Sequence, residues 1–458
     1  MNSLRFGKDK TSVGDLRFSN RKLLDLLLPL LVEQALVMLV GMADTVMVSK
    51  LGDAAVSGVS LVDQICNVII ALLAALATGG AVVASQMIGA DRPVDACRVS
   101  NQLVLVVTWV ALVIMIPVLA FKRQLLNLLF TTVETDVMNN ALTYLEITAL
   151  SYPFLAIYNA GTALYRSMNR SNTTMKVSIL VNIINIGGNA LFVYVLGSGV
   201  EGVAIPTLVS RMVGAVCMML LLKDPHLQLH LMPRAWKPNL SMMKHILTIG
   251  IPNGLENSLF QLGRLLVVGI IAAFGTVQIT ANAVANTMDS VGVLPGQAMN
   301  LAIITVVGQC VGAGDYKQAR YYIRKLLLWT YIAMFCLNLP LLSLLRFVLK
   351  IFDVSGAALD LAWTLIVLHN GMGCLLWPLA FVLPNGLRAA SDVKFTMVVA
   401  IASMAIFRIL FSYILGLWLG WGAVGVWIAM IIDWICRIVC FILRYRGTKW
   451  ETKAQIHQ

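Results

Sequence analysis

The chain has 458 residues, of which 59% are apolar and 12% charged, with a formal net charge of +12. Soluble domains are about 25% charged, so this composition excludes a soluble enzyme, a nucleic-acid-binding domain and a disordered chain. The positive excess then reads as the signature of one membrane face, not of a nucleic-acid partner.

Residues 1–22 are polar, carry six basic residues and show no AxA-like cleavage site, which predicts a cytoplasmic tail. Apolar runs longer than the about 20 residues a helix needs to cross the hydrocarbon follow at 23–49, 57–86, 100–121, 140–165, 175–197 and 201–223. Residues 224–243 are polar, contain Pro225, Pro233 and Pro238, and predict a cytoplasmic linker at mid-chain. Six more runs occupy 244–272, 279–311, 325–350, 360–387, 395–417 and 421–444, and 445–458 form a second tail. Barrel strands would alternate over about 10 residues, so the expected fold class is an all-α membrane protein. It has twelve transmembrane helices in two six-helix lobes, 23–223 and 244–444.

With both termini in the cytoplasm, inside segments hold 25 basic residues and outside loops five, as the positive-inside rule requires of an even helix count. The expected location is a plasma or inner membrane. Arg211, Arg264, Arg408 and Arg437 fall within predicted helices. The eight cysteines form no CxxC pair and read as packing residues. No HExxH, GxSxG or Walker A run occurs, and the five histidines are placed at or beyond helix ends, so neither an enzyme nor ATP drive is expected. No cofactor is expected.

Residues 29–96 laid on 252–319 without gaps, 223 positions apart, are identical at twelve of 68 positions. The matches include Pro29 with Pro252, Glu33 with Glu256, Gly52 with Gly275, Gln86 with Gln309, and Gly89-Ala90 with Gly312-Ala313. With small gaps the pairing continues through Pro153 on Pro378, Arg166 on Arg388, and Asn189 to Gly197 on Arg408 to Gly416. Two copies of six helices share one orientation, so the lobes are expected around an axis along the membrane normal with a cleft between them.

The run from Pro29 through Gly41-Met-Ala-Asp44 to Gly52 resembles the first helix of the multidrug and toxic compound extrusion (MATE) family. So do Gln86-Met-Ile-Gly-Ala90, Ala190 through Ala204, and Leu383 through Lys394. The resemblance implies a MATE-like V of two bundles and export of organic cations by alternating access, driven by inward Na+ or H+. The expected partners are the lipid bilayer and small organic cations, with no nucleic acid, and the chain is expected to act as a monomer. The competing function is a lipid or lipid-linked oligosaccharide flippase of the same superfamily, which needs a more cationic cleft.

A charge at a helix centre costs at least about 2.5–3.5 kcal/mol, so buried acids are expected to face a cavity, a partner or an ion. Asp44 aligns with the family's cation-coupling aspartate. Its alternative is a solvated place near the helix end. Asn185 and Asn189 resemble the NorM-like asparagine pair, and one carboxylate with neutral amide oxygens suits Na+, although asparagines also bond between helices. Glu256 matches the family's glutamate of the C-terminal lobe. A second acid of that lobe is absent, because Trp377 stands where it is expected. Glu33, Asp63, Tyr158 and Trp377 are candidate cavity residues, while Glu33 and Glu256 can equally tie their helices to neighbours. Asp433, four residues before Arg437, is expected to form a salt bridge along its helix.

Overall fold

A computed structural model describes residues 16–130, 134–350 and 356–453. Ser19 caps α1 (Asn20–Ser49), accepting from the Lys22 amide. A short turn at Gly52, held at φ +94°, leads into α2 (Asp53–Gly89). Asp91, also left-handed at φ +55°, ends α2 ahead of α3 (Pro93–Ala120), and the short α4 (Lys122–Leu129) follows. The fourth expected span is divided into α5 (Thr135–Leu150) and α6 (Tyr152–Ser167), meeting at Ser151. Pro153, without an N–H, sits at the start of α6, where a missing donor is tolerated. Then come α7 (Ser171–Ala190), widening into a π-helix at Leu191–Val195, and α8 (Glu201–Leu221).

The second half repeats the plan. It comprises α9 (Leu240–Ala272), α10 (Thr276–Gly292), α11 (Leu294–Gly312), α12 (Tyr316–Ser343) and the short α13 (Leu345–Leu349). They are followed by α14 (Gly356–Trp377), a π-helix at Pro378–Val382 and α15 (Leu383–Ala389). Last come α16 (Val393–Ser403), π-helices at Met404–Leu410 and Tyr413–Trp418, α17 (Gly422–Arg446) and α18 (Lys449–Lys453). The repeat extends to backbone conformation. Gly275 adopts φ +97° where Gly52 has +94°, Gly314 matches Asp91, and Ser391 at +63° matches Asn169 at +59°.

Among the described residues eleven helices are long and apolar enough to cross a membrane. The fourth expected span falls short because its break at Ser151 leaves two helices of 16 residues each. Helices also begin a few residues before the apolar runs do. α3 starts at Pro93, not 100, and α12 at Tyr316, not 325, because amphipathic first turns continue beyond the hydrocarbon.

Alternation along the chain puts the start of α1, the end of α2 and every inter-span segment counted above as inside on one face, here the basic face. The mid-chain segment is fastened to that face. Asn101 exchanges two hydrogen bonds with Met232, and Gln102 Nε2 donates to the carbonyls of Ala235 and Lys237. Its own Leu227, Leu229 and Leu231 are buried. Both tails return to the same face. Phe18 exchanges backbone bonds with the Tyr322 hydroxyl at 2.8 Å, and Arg320 bonds Glu451 beside the buried Trp450.

The halves meet along α2 and α9 and along α2 and α11. A Cβ on Gly79 would lie 2.7 Å from Gly250 Cα, and one on Gly89 would lie 2.1 Å from Gln309 O. Only glycine permits backbones this close. The hydrogen bonds between halves among the described residues run from Lys325 with Asn20 to Ser258 with Val68. All but the last lie in the part of the molecule nearest the basic face, and the Ser258–Val68 bond lies near the middle of α2 and α9. Farther along, the halves diverge around a cavity of about 700 Å³.

Candidate functional site

Asp44 lies five residues from the end of α1, half-buried, and Asn189 stands where α7 passes into its π-helix. Asn189 Nδ2 donates to Asp44 Oδ1 at 2.7 Å and lies 3.4 Å from Asn185 Oδ1. Asn185 Nδ2 donates to the Thr207 hydroxyl of α8 at 3.0 Å. The two asparagines, one turn apart on α7, stand beside the α1 carboxylate, and the π-helix begins two residues after Asn189; π-bulges recur at functional sites. Asn189 Oδ1 is buried and has no hydrogen-bond partner. An amide oxygen so placed beside a carboxylate is a ready ligand for a hard cation.

Asp63 of α2 lies close enough to Asp44 for the two carboxylates to interact electrostatically. It accepts from the Tyr144 hydroxyl of α5 at 3.3 Å. Arg211 of α8 donates to Ser151 Oγ at 2.6 Å, at the break between α5 and α6. Thr207, Tyr144, Ser151 and Arg211 were not singled out from the chain as members of a site. Only Arg211 carried a signal, as an arginine within an apolar run.

Glu33 and Glu256 do not face a shared ion. Glu33 is paired with Arg166 and also accepts from Thr174, while Glu256 is paired with Arg388. These are repeat-equivalent pairs, and each ties the first helix of its half to the end of that half's fourth crossing. Such buried carboxylates are structural partners first, because either charge alone would be uncompensated. Glu256 additionally lines the cavity, whereas Glu33 and Tyr158 do not. Tyr158 packs against Gly214 instead, where an added Cβ would come within 2.9 Å of its ring.

The cavity belongs mostly to the second half. Trp377 lines it, held against Gly296, where a Cβ would fall 2.0 Å from the indole. Phe260, Phe381, Trp427 and Trp434 add further rings. Asp433 forms the expected bond to Arg437, at 2.9 Å, and Arg408 Nε lies 3.4 Å from its other oxygen. One placement requires correction. His369 lies within α14 and is 2% exposed, its Nδ1 3.0 Å from Asp289 Oδ1, between the rings of Trp427 and Trp434. It falls inside an apolar run with its ring packed between indoles and its Nδ1 turned to Asp289 and Asn370. The eight cysteines are all free thiols.

Comparison with known proteins gives this geometry a family. The family model MatE matches residues 29–191 and again 252–414, in the 223-residue register of the internal repeat. The chain is 27% identical to the uncharacterized transporter YisQ of Bacillus subtilis, covering 93% of this chain and 94% of that one. It is 26% identical to the probable multidrug resistance protein NorM of Thermotoga maritima, covering 97% and 95%. Its fold matches an outward-facing multidrug resistance MATE family transporter of the MOP superfamily with TM-score 0.85 at 21% identity, over 95% of this chain and 96% of the other. It also matches a MOP superfamily transporter of Pyrococcus furiosus, described as having a binding pocket of reverse polarity, with TM-score 0.82 at 20% identity, over 94% and 96%. With two copies of the family model spanning most of its length, the chain belongs to the MATE family of membrane transporters.

Proposed function

We propose that this transporter is a secondary antiporter, acting as a monomer, that exports amphipathic organic compounds, drugs among them, in exchange for inward Na+. Asp44 is its switch. The observation that carries this reading is the buried, unpartnered Asn189 Oδ1 beside the carboxylate to which its own amide donates. Na+ entering there displaces the hydrogen bond from the Asn189 amide to Asp44, and the ion is held by Asp44, Asn189 and Asn185. That exchange changes how α1 is held against α7, from a direct hydrogen bond to a bridge through the ion. Neutral oxygens around one carboxylate suit Na+ better than a proton, which needs only the carboxylate.

The excess of basic residues assigns the basic face to the cytoplasm. The bonds between halves near that face then hold the cytoplasmic side shut, and the cleft faces outward. Coupling follows if Na+ and cargo differ in affinity for the outward and inward states. The names of relatives such as NorM support drugs as cargo. Dye efflux from vesicles under imposed Na+ or pH gradients tests the reading. Asp44→Asn is expected to abolish efflux with the protein still folded, and a Na+ gradient is expected to drive efflux without a pH gradient. Efflux retained in Asp44→Asn would reject it.

A further inference from the structure

The two halves share a plan but not a charge. Where the first half has Asp44 the second has Val267, and where it has Asn189 the second has Arg408. The position of Gly41 is taken by Arg264. The π-helix after Asn189 has its counterpart in the π-helices around Arg408. The arrangement that offers oxygens in one half therefore offers guanidinium groups in the other.

The charges of the cavity can be accounted for one by one. Its wall carries Arg264, Arg388, Arg408 and Arg437 against Glu256 and Asp289. Glu256 is taken by Arg388. Asp433, fully buried behind the wall, is shared between Arg437 and Arg408. Asp289 has His369 Nδ1 at 3.0 Å, an imidazole that is charged only when protonated, so this carboxylate remains a negative charge on the wall beside the arginines. Arg264 is exposed into the cavity and has no ion pair among the described residues. Arg408 also lines the cavity and is 4% exposed, its Nε turned to Asp433 Oδ2 at 3.4 Å without a hydrogen bond and Asp433 shared with Arg437. An unpaired charge within a membrane bundle marks a place where a partner arrives, and here the partner must be negative. The rest of the wall is aromatic. Arg408 and Arg437 lie 5.0 and 5.7 Å from the Phe260 ring centre, and Trp377 stacks on Phe381 at 5.0 Å.

We infer that this cavity binds aromatic organic anions, with Arg264 and Arg408 holding a carboxylate or sulfonate and Phe260, Trp377 and Phe381 receiving the ring system. This departs from the organic cations expected from the family resemblance. It rests on the antiporter reading only in treating the cavity as the cargo site. Guanidinium forks match planar or tetrahedral oxyanions bidentately. About 700 Å³ is the size of a drug-like ligand's site.

The test uses two xanthene dyes of one scaffold, anionic fluorescein and cationic rhodamine 6G. Binding to the purified full-length protein is followed by fluorescence anisotropy, and flux is followed in vesicles. Fluorescein is expected to bind more tightly than rhodamine 6G. Arg264→Gln is expected to weaken fluorescein binding about tenfold or more, as loss of a charge-assisted bond does, with Arg264→Lys restoring most of it. Equal fluorescein affinity in Arg264→Gln, or preferential binding of rhodamine 6G, would overturn the inference. Rhodamine flux blocked by Asp44→Asn, without Arg264-dependent fluorescein binding, would sink the anion site and leave the antiporter reading intact. Arg264-dependent fluorescein binding without gradient-driven flux of either dye would do the reverse.

Discussion

Gln86 and Gln309 occupy equivalent places in the two repeats, and each donates across the interface to the equivalent carbonyl of the opposite half. Gln86 Nε2 lies 2.8 Å from Ala389 O, and Gln309 Nε2 lies 2.8 Å from Ser167 O. Ser167 and Ala389 each follow the arginine of a repeated Glu–Arg pair. The repeated QxxGA run is thus a reciprocal clasp, with each glutamine bonding the opposite half's fourth crossing. Each glycine admits the other copy's glutamine backbone, since a Cβ on Gly312 would fall 2.0 Å from Gln86 O just as one on Gly89 would from Gln309 O.

Gly89→Val is expected to hold the halves apart at the basic face, because backbone atoms cannot give way to a side chain placed there. Pulsed electron resonance between spin labels at the exposed positions Arg92 and Lys317 should show a longer mean distance than in the parent. An unchanged distribution would mean that the clasp does not set the closure.

Asn189→Ala removes both the donor to Asp44 and the free amide oxygen. Na+ concentration at half-maximal efflux is expected to rise at least about tenfold, since even groups outside the first coordination sphere of a metal contribute that much. Efflux titrated against Na+ at constant pH measures it. The same half-maximal concentration in both proteins would remove Asn189 from the ion site.

Replacing Glu33 by Gln leaves Arg166, mostly shielded at 16% exposure, without its counter-charge. The expected cost is about 3–5 kcal/mol, and Glu256→Gln should cost similarly through Arg388. Thermal unfolding in detergent reads the loss. Glu33→Gln combined with Arg166→Met is expected to recover much of it, because no lone charge then remains. A double variant as unstable as the single one would show that the pair contributes through packing.

Gly296→Ala is expected to push the Trp377 indole out of its seat into the cavity, at about 1–3 kcal/mol for overpacking. Aromatic cargo should lose affinity and the protein should melt earlier. Dye binding and unfolding measured on one preparation separate the two effects, and dye affinity equal to the parent's would show that Trp377 does not bound the cargo site.

Much of the architecture was legible along the chain because a membrane span must satisfy its backbone within itself and turn apolar atoms outward. Length, hydropathy and the 223-residue repeat therefore led to an all-helical, twice-folded bundle. The repeat also retains Glu33 with Glu256 and Arg166 with Arg388, but nothing along the chain links the acids to the arginines. Their pairing across 133 and 132 positions needed the bundle to bring α1 to α6 and α9 to α15. Asp44 and Asn189 were nominated through family resemblance. Their 2.7 Å bond, and the unpartnered oxygen beside it, depend on α1 packing against α7, which local residue pattern does not announce.

The amino-acid order by itself determined the membrane environment, the helical class, the duplication and the acids that could not lie in lipid unaccompanied. Only the tertiary structure decided which of those charges are neutralised and which is left open. It paired Glu256 with Arg388, surrounded His369 with tryptophans and left Arg264 facing the cavity. Hydropathy is a property of one residue and its neighbours in the chain, whereas the cost of a buried charge is set by what stands within a few ångströms of it, and in a bundle those neighbours come from helices far apart in sequence.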